Sequence, residues 1–207
     1  MSAYERWTWE RCCAKILSLK NRLGYGESLW ILGFDVLDDG RVIDPFQGIE
    51  YFNPVQHSTP MSTYYQSSAI PEMYCLLSTY ALAPENPLTG TLLSPNSLNP
   101  ILRFELTAEE SSTLFQYFDK TVSTDQSTFT PFFGRNLHHG DYSFTVWPLP
   151  RVPVTFILWQ GDEQIDDGGT VLFDSSIRQY LPGLIVELAR LTVWRLRNIL
   201  DPTIKWE

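Results

Sequence analysis

Two adjacent histidines close to a carboxylate form the first group of residues whose types could do chemistry. His138, His139 and Asp141 carry side chains that suit zinc, iron or nickel, and histidine is also the natural acid–base group near neutral pH. If the two histidines lie in a strand, their imidazoles point to opposite faces and cannot share one metal ion. A solvated turn in which Asp141 binds local backbone N–H groups is therefore the favoured interpretation, and a ligand site is the alternative.

Five acidic residues follow within residues 162–174, a segment that contains no basic residue. They are Asp162, Glu163, Asp166, Asp167 and Asp174. Their oxygens suit Ca²⁺ or Mg²⁺, but the spacing lacks the alternating acids and terminal Glu of an EF-hand loop. Catalysis by a carboxylate pair would require Asp162 or Glu163 to be partly buried, so that its pKa rises. Solvated hairpin tips are the commoner outcome of such a charge run, so we expect Asp166 and Asp167 to be exposed at a turn.

The third group is the segment Asp174-Ser-Ser-Ile-Arg-Gln-Tyr180-Leu-Pro. At the end of a strand, Asp174 can accept hydrogen bonds from nearby N–H groups and so organise a turn. Tyr180 can anchor that turn to the core through its ring. We interpret the segment as structural first and as a ligand contact second, because loops at strand ends often carry sites.

Several chemistries lose support because their motifs are missing. The three cysteines, Cys12, Cys13 and Cys75, include no CxxC pair, and an iron–sulfur cluster usually needs four thiolates, so the chain has no self-sufficient iron–sulfur motif. The glycine patterns of nucleotide-binding loops, the GxSxG of hydrolases and the HExxH of zinc proteases do not occur either. The missing motifs favour a non-enzymatic role and leave the cofactor unknown.

The net charge and the hydropathy of the chain limit which partners and which location can be expected. The 207 residues include 24 acidic and 15 basic side chains, for a formal net charge of −9, which repels a nucleic-acid backbone and argues against generic nucleic-acid binding. The sequence contains no run of 18 apolar residues, so no membrane span is predicted. The first 22 residues lack the apolar stretch of a secretory signal. We therefore expect an acidic cytoplasmic protein without a membrane span.

Hydrophobic periodicity predicts an α+β fold in one domain over residues 27–200, with an N-terminal helix in 1–26 and a tail at 201–207. Its central sheet, mixed or antiparallel, is expected to carry packed helices and to be formed by 143–147, 153–159 and 170–174. The nearly continuous apolar run of the middle strand predicts burial on both faces, with Phe156 and Trp159 in the core.

Shorter patterns predict the remaining elements. Asp38-Asp-Gly40 is a hairpin signal between strands at 29–34 and 41–44, with 46–52 as a third strand. A capping box formed by Thr107 and Glu110 predicts a helix that ends near Lys120. The other expected segments are a helix at 68–81, irregular turns at 84–100 and a last helix at 183–200.

The candidate residues are expected to meet at neighbouring strand ends, because consecutive strands usually pair. The segments 138–141, 159–163 and 174–180 would then form one site. Its candidate ligand-binding residues are His138, His139, Asp141, Trp159, Asp162, Glu163, Asp174 and Tyr180. Among them we expect Asp174 to be scaffold, and we regard His139 and Asp162 as the better functional candidates.

The C-terminal half also carries a recognisable order of motifs. These are His139-Gly-Asp141, Pro148-Leu-Pro-Arg-Val-Pro-Val154, Leu158-Trp-Gln-Gly-Asp-Glu163, Leu172-Phe-Asp-Ser-Ser176 and Tyr180-Leu-Pro182, with Asn86-Pro-Leu-Thr-Gly90 upstream. In this order and spacing, the chain resembles the bacterial and archaeal family catalogued as domain of unknown function 3786. The resemblance extends over about residues 27–200 and is sharpest over 138–182, as judged by motif density.

The resemblance implies an accessory or binding protein linked to metal, corrinoid or other tetrapyrrole metabolism in anaerobes. Some family members resemble fusions to a cysteine-rich iron–sulfur module that also accompanies corrinoid proteins, and this chain lacks that module. One alternative is a metal-assisted or general acid–base enzyme that uses the 138–141 and 162–174 segments in one cleft. Another is a structural subunit of a larger complex, whose protein partner docks on the N-terminal or C-terminal helix.

Overall fold

The computed structural model describes residues 35–36, 42–43, 50–51, 76, 79–80, 83–101, 103–123 and 139–200. In chain order the strands are β1 (Asp35–Val36), β2 (Val42–Ile43), β3 (Glu50–Tyr51), β4 (Leu92–Leu93), β5 (Tyr142–Leu149), β6 (Val152–Trp159) and β7 (Gly168–Asp174). The helices are α1 (Pro95–Leu98), α2 (Ala108–Ser123), α3 (Ile177–Tyr180) and α4 (Ile185–Leu200). The predicted α+β fold class is confirmed, and the main sheet is antiparallel.

Three long strands form the centre of the main sheet, whose spatial order is β4-β7-β6-β5. β6 pairs with β5 from Leu158 opposite Tyr142 to Val152 opposite Leu149, and with β7 from Trp159 opposite Gly168. Every β6 residue except Trp159 is buried, as its apolar run requires of a central strand. The three strands expected from the sequence are confirmed.

β5 runs through Pro148 and ends two residues beyond the predicted boundary. The pairing register with β6 shifts between Val146 and Leu149. β5 is the outermost strand on its side of the sheet, and proline is tolerated at edges and at such irregularities because a ladder N–H is not needed there.

The core lies between this sheet and the two long helices. Phe144 and Phe156 stack across β5 and β6 with ring centroids 4.8 Å apart. Phe115 of α2 contacts Tyr142 edge-on, also at 4.8 Å. α4 is enclosed along most of its length: within residues 185–197 only Arg190 is exposed. The helices that the structure describes include none that could span a membrane.

The capping box at the start of α2 is confirmed. The N–H of Glu110 donates to Thr107 Oγ1 at 3.1 Å, and the N–H of Thr107 donates to Glu110 Oε2 at 2.8 Å. The helix then continues to Ser123, slightly beyond the predicted end at Lys120.

Residues 84–100 contain more structure than the predicted irregular turns. β4 pairs with the end of β7, and α1 follows with Pro95 in its first turn and Ser94 as its cap. The Ser94 hydroxyl accepts the N–H of Ser97 at 3.2 Å. Such short elements have too few residues to show a period of their own.

The antiparallel pairing of β1 with β2 and of β2 with β3 confirms the predicted turn at Asp38-Asp-Gly40 and the two strands after it. β1 itself lies at 35–36, beyond the predicted strand at 29–34. Leu76, Thr79 and Tyr80 are helical, as expected for the 68–81 helix. The strand at 29–34, the N-terminal helix and the C-terminal tail lie outside the described residues, so the division into 1–26, 27–200 and 201–207 stays a prediction.

Candidate functional site

The direction of the strands decides which candidate residues meet. The N–H of Asp141, just before β5, donates to the carbonyl oxygen of Leu158 at 3.0 Å, so the 139–141 and 159–163 segments adjoin. β7 then runs to the other end of the sheet, where Phe173 pairs with Val154. A strand of this length spans about 20 Å. The expectation of one shared site is therefore wrong: Asp174 and Tyr180 lie at the opposite end.

We call residues 139–141 together with 159–167 the acidic cap. Three of its carboxylates hold backbone N–H groups of the connection between β6 and β7. Asp141 accepts from Gln160 at 2.8 Å, Asp167 from Gly161 at 2.8 Å, and Asp162 from Gln164 at 2.8 Å and Ile165 at 3.0 Å. These bonds fit the expected hairpin turn, in which Asp166 is exposed as predicted while Asp167 is half-buried.

Trp159 is the aromatic side chain of the acidic cap. Its exposed fraction is 45%, so the prediction of a buried Trp159 is wrong, whereas Phe156 is fully buried as predicted. Trp159 is the last residue of β6, and the other seven residues of that strand are buried. Its indole lies against the backbone of Gly140: a Cβ placed there would be 3.3 Å from the indole Nε1.

His139, the residue before Gly140, is exposed, and its backbone N–H donates to the Ser143 hydroxyl at 3.0 Å. Glu163 is exposed as well, while His138 lies outside the described residues. Within the described part of the chain, no three His, Cys, Asp or Glu side chains are placed to bind one metal ion. The residues described here therefore do not fit a protein-only metal centre.

Asp174 lies at the other end of the sheet and is 3% exposed. Its Oδ1 accepts the N–H and hydroxyl of Thr89, both at 3.0 Å, and the N–H of Ser176 at 2.9 Å, while its Oδ2 accepts the N–H of Gly90 at 2.7 Å. Burial alone would raise the pKa of this carboxyl, but the hydrogen bonds from Thr89, Ser176 and Gly90 outweigh it and hold the pKa below its ordinary value.

We call residues 84–91 the strap. Thr89 and Gly90 attach it to Asp174, and Asn86 attaches it a second time, to Tyr180. The Tyr180 hydroxyl donates to the carbonyl oxygen of Asn86 and accepts the N–H of the same residue at 2.9 Å. The Tyr180 ring is fully buried and stacks on Tyr80 with centroids 5.4 Å apart. The predicted roles of Asp174 as a turn organiser and of Tyr180 as a core anchor agree with these contacts.

Two further residues complete this end of the sheet. The Tyr80 hydroxyl accepts the N–H of Arg151 at 3.1 Å, and burial raises the pKa of Tyr80 above its ordinary value. The Arg151 guanidinium pairs with Glu85, and this hydrogen bond is the main reason that the pKa of Arg151 is raised. Sequence reasoning missed both residues, and it quoted the Asn86–Gly90 motif without placing it beside Asp174.

This separation bears on the alternative functions. An enzyme cleft lined by both 138–141 and 162–174 would need Asp174 next to the acidic cap, and the strand between them prevents that. In α4, the near-complete burial of residues 185–197 leaves Arg190 as the exposed side chain of that stretch. The described part of the C-terminal helix thus offers little surface to a partner.

The comparisons with known proteins give one match. Neither a curated protein nor a solved structure shows a significant similarity to the chain. A family model matches residues 39–190, which is more than half of the sequence and runs from the N-terminal hairpin into α4. It therefore includes the strap, the acidic cap and the turn that begins at Asp174. The chain belongs to the family described as Domain of unknown function (DUF3786).

Proposed function

We propose that this protein is a non-catalytic accessory protein of the cytoplasm that binds its ligand on the acidic cap. The observation that supports this most directly is the half-exposed Trp159, whose indole lies against Gly140 beside the exposed His139. Aromatic side chains with one open face are typical anchors of binding surfaces, because they bury a large area at small entropic cost.

The hydrogen bonds of the cap favour binding over catalysis. Asp141 and Asp162 each use a carboxylate oxygen to hold backbone N–H groups of a turn. A general acid or base must instead be free to exchange its proton with the substrate. The carboxylates therefore act here as supports that fix the shape of the surface around Trp159.

The ligand class that we propose is a tetrapyrrole, either a corrinoid or a haem. A flat macrocycle would lie against the exposed part of the Trp159 indole, and the imidazole of His139 would bind its central metal. The neighbouring Gly140 has no side chain to stand between them. This class also agrees with the link to corrinoid metabolism that the family resemblance implies.

The test is a titration of the purified full-length chain with haem and with cobalamin, followed by visible absorption. We expect a shifted spectrum with a 1:1 end point, a roughly tenfold weaker affinity in Trp159→Ala, about 1.4 kcal/mol, and loss of the ligand-field shift in His139→Ala. Leu88→Ala removes a different exposed apolar side chain, 52% exposed, from the strap and should change neither result.

Two outcomes would contradict the proposal. If neither compound changes its spectrum in the presence of the protein, the ligand class is wrong. If a compound binds but Trp159→Ala and Leu88→Ala bind it equally well, the acidic cap is the wrong surface.

A further inference from the structure

The acidic cap, which holds Trp159, carries charge of one sign. It contains five acidic side chains and no lysine or arginine, in a chain whose formal net charge is −9. Four of the five are exposed: Asp141, Asp162, Glu163 and Asp166. Arg151 and Arg178 lie at the other end of the sheet, next to Tyr80 and Ser175. A ligand that lies against Trp159 therefore meets the negative charge of the cap and no cation of the cap.

The fold of the 161–167 turn keeps its charges close to the indole. The N–H of Asp162 donates to the carbonyl oxygen of Ile165 at 2.8 Å, so the chain reverses directly after Gly161. A Cβ placed on Gly161 would be 2.5 Å from the carbonyl carbon of Asp166. The backbone of Asp166 thus lies close to that of Trp159, because the two residues from Trp159 to Gly161 span at most about 7 Å.

Two of the exposed carboxylates are available to a ligand. Asp141, Asp162 and Asp167 hold N–H groups of the connection between β6 and β7. Within the part of the chain that the structure describes, no hydrogen bond reaches the carboxylate of Glu163 or Asp166. An ionised carboxylate accepts hydrogen bonds and donates none. It therefore stabilises a ligand group with N–H donors and repels another carboxylate.

The two classes of tetrapyrrole differ in this respect. The side chains of a corrinoid such as cobinamide end in neutral amides, whereas a haem carries propionates. Amide N–H groups can donate to Glu163 and Asp166, but propionates meet them as like charges. Ile165, which is 69% exposed in the same turn, offers an apolar contact to the rim of either ring.

We infer that the acidic cap selects its ligand by the charge of the ligand's side chains, so that a corrinoid with amide side chains binds in preference to a haem. The inference rests on the proposed function, because it requires a macrocycle against Trp159. It goes further by assigning the discrimination between ligands to Glu163 and Asp166, while Trp159 supplies affinity for both classes.

The test compares cobinamide with cobyrinic acid, which has the same ring and metal but carboxylates in place of the amides. Both are titrated into the full-length chain at neutral pH and followed by visible absorption. In about 0.01 M salt, where charges act over about 30 Å, cobinamide should bind roughly tenfold more tightly. In about 1 M salt, where charges act over about 3 Å, the ratio should fall below roughly threefold. Equal affinities at low salt would overturn the inference.

The double variant E163Q/D166N removes both charges at nearly constant size. It should lower the low-salt ratio from roughly tenfold to about twofold, mainly because cobyrinic acid binds more tightly. Glu85→Gln removes a carboxylate that is 60% exposed at the other end of the sheet and should leave the ratio unchanged. A ratio that is the same in the double variant and in the wild type would contradict the assignment to Glu163 and Asp166.

Failure of the proposed function gives a different result. If both corrinoids bind equally well and Trp159→Ala weakens both, the acidic cap is the binding surface and only the selection by charge is wrong. If neither corrinoid binds, the inference is wrong as well, and the proposed function then depends on the haem titration alone.

Discussion

At the scale of single residues, Asp174 is the clearest case of a charged side chain with a structural role. Its two oxygens hold the strap at the end of β7 through three hydrogen bonds, and a fourth comes from the N–H of Ser176. The carboxylate is a strong acceptor because it is charged. An amide in its place turns one of the two oxygens into an NH2 donor, so the N–H groups on that side lose their acceptor.

We therefore expect Asp174→Asn to lower the free energy of unfolding by about 3 kcal/mol, which is roughly 6–12 °C in Tm for a chain of this size. Asp166→Asn makes the same chemical change at an exposed position and should stay within about 0.5 kcal/mol of the wild type. Urea unfolding measures both. Equal stability of the two variants would show that the hydrogen bonds of Asp174 contribute nothing net.

The lowered pKa of Asp174 also predicts a dependence on acidity. The unfolded chain carries this carboxyl at its ordinary pKa of about 3.9, so below that pH the unfolded state binds the proton more readily than the folded state. The stabilisation is present at neutral pH and is lost as the pH falls through the lower pKa of the folded state. The stability difference between wild type and Asp174→Asn should narrow between about pH 5 and pH 2. A constant difference over that range would contradict the assignment.

Tyr180→Phe tests the second attachment of the strap. The change keeps the ring against Tyr80 but leaves the N–H and the carbonyl oxygen of Asn86 without the hydroxyl that they share. We expect a loss of about 1–2 kcal/mol in thermal or urea unfolding. Tyr142→Phe, at a half-buried position on β5, is the matched control and should cost less than half as much.

At the scale of elements, the sequence predicted what local chemistry decides. The apolar run of β6 and the Thr107–Glu110 capping box were readable because burial and capping depend on residues close together in the chain. β4 was missed because its form depends on pairing with β7, which lies far away in sequence. α1 was missed because its four residues are too few to show a helical period. The extension of β5 through Pro148 was missed because only the sheet order shows that this strand is at an edge.

The turn before β5 allows a test of how closely the backbone is packed in the acidic cap. Gly140 has φ of +62° and a Cβ there would lie 2.7 Å from the carbonyl oxygen of Leu158, whereas Gly90 has φ of +74° and open space around it. Gly90→Ala should cost about 1 kcal/mol for the backbone conformation alone. Gly140→Ala should cost roughly 3 kcal/mol, because backbone must also move. Equal losses in urea unfolding would mean that the crowding is relieved at no cost.

At the scale of the whole molecule, strand parity explains which part of the candidate site was predictable. Two strands, β5 and β6, separate Asp141 from the 159–163 segment, so the chain returns to the same end of the sheet. One more strand, β7, takes it away again, so Asp174 had to lie at the other end. The exposure of Trp159 could not be read from its apolar neighbours, since it depends on where the covering layer stops.

The strap has a consequence for the order in which the molecule assembles. The hydrogen bond from Thr89 to Asp174 spans 85 positions in the sequence, and the one from Asn86 to Tyr180 spans 94. By contrast, β5, β6 and β7 follow one another through short connections. Contacts between residues that are close in sequence close small loops and form first. We therefore expect the three-stranded meander of β5, β6 and β7 to form before the strap attaches to it.

Substitutions that weaken the strap should therefore change the unfolding rate and leave the folding rate almost unchanged. In stopped-flow chevrons with urea, Asp174→Asn should unfold about 100-fold faster than the wild type and refold at nearly the same rate. A refolding rate that falls by a comparable factor would show instead that the strap is already in place in the transition state. With the expected result, the contacts of the strap determine the unfolding rate, and formation of the β5–β7 meander determines the folding rate.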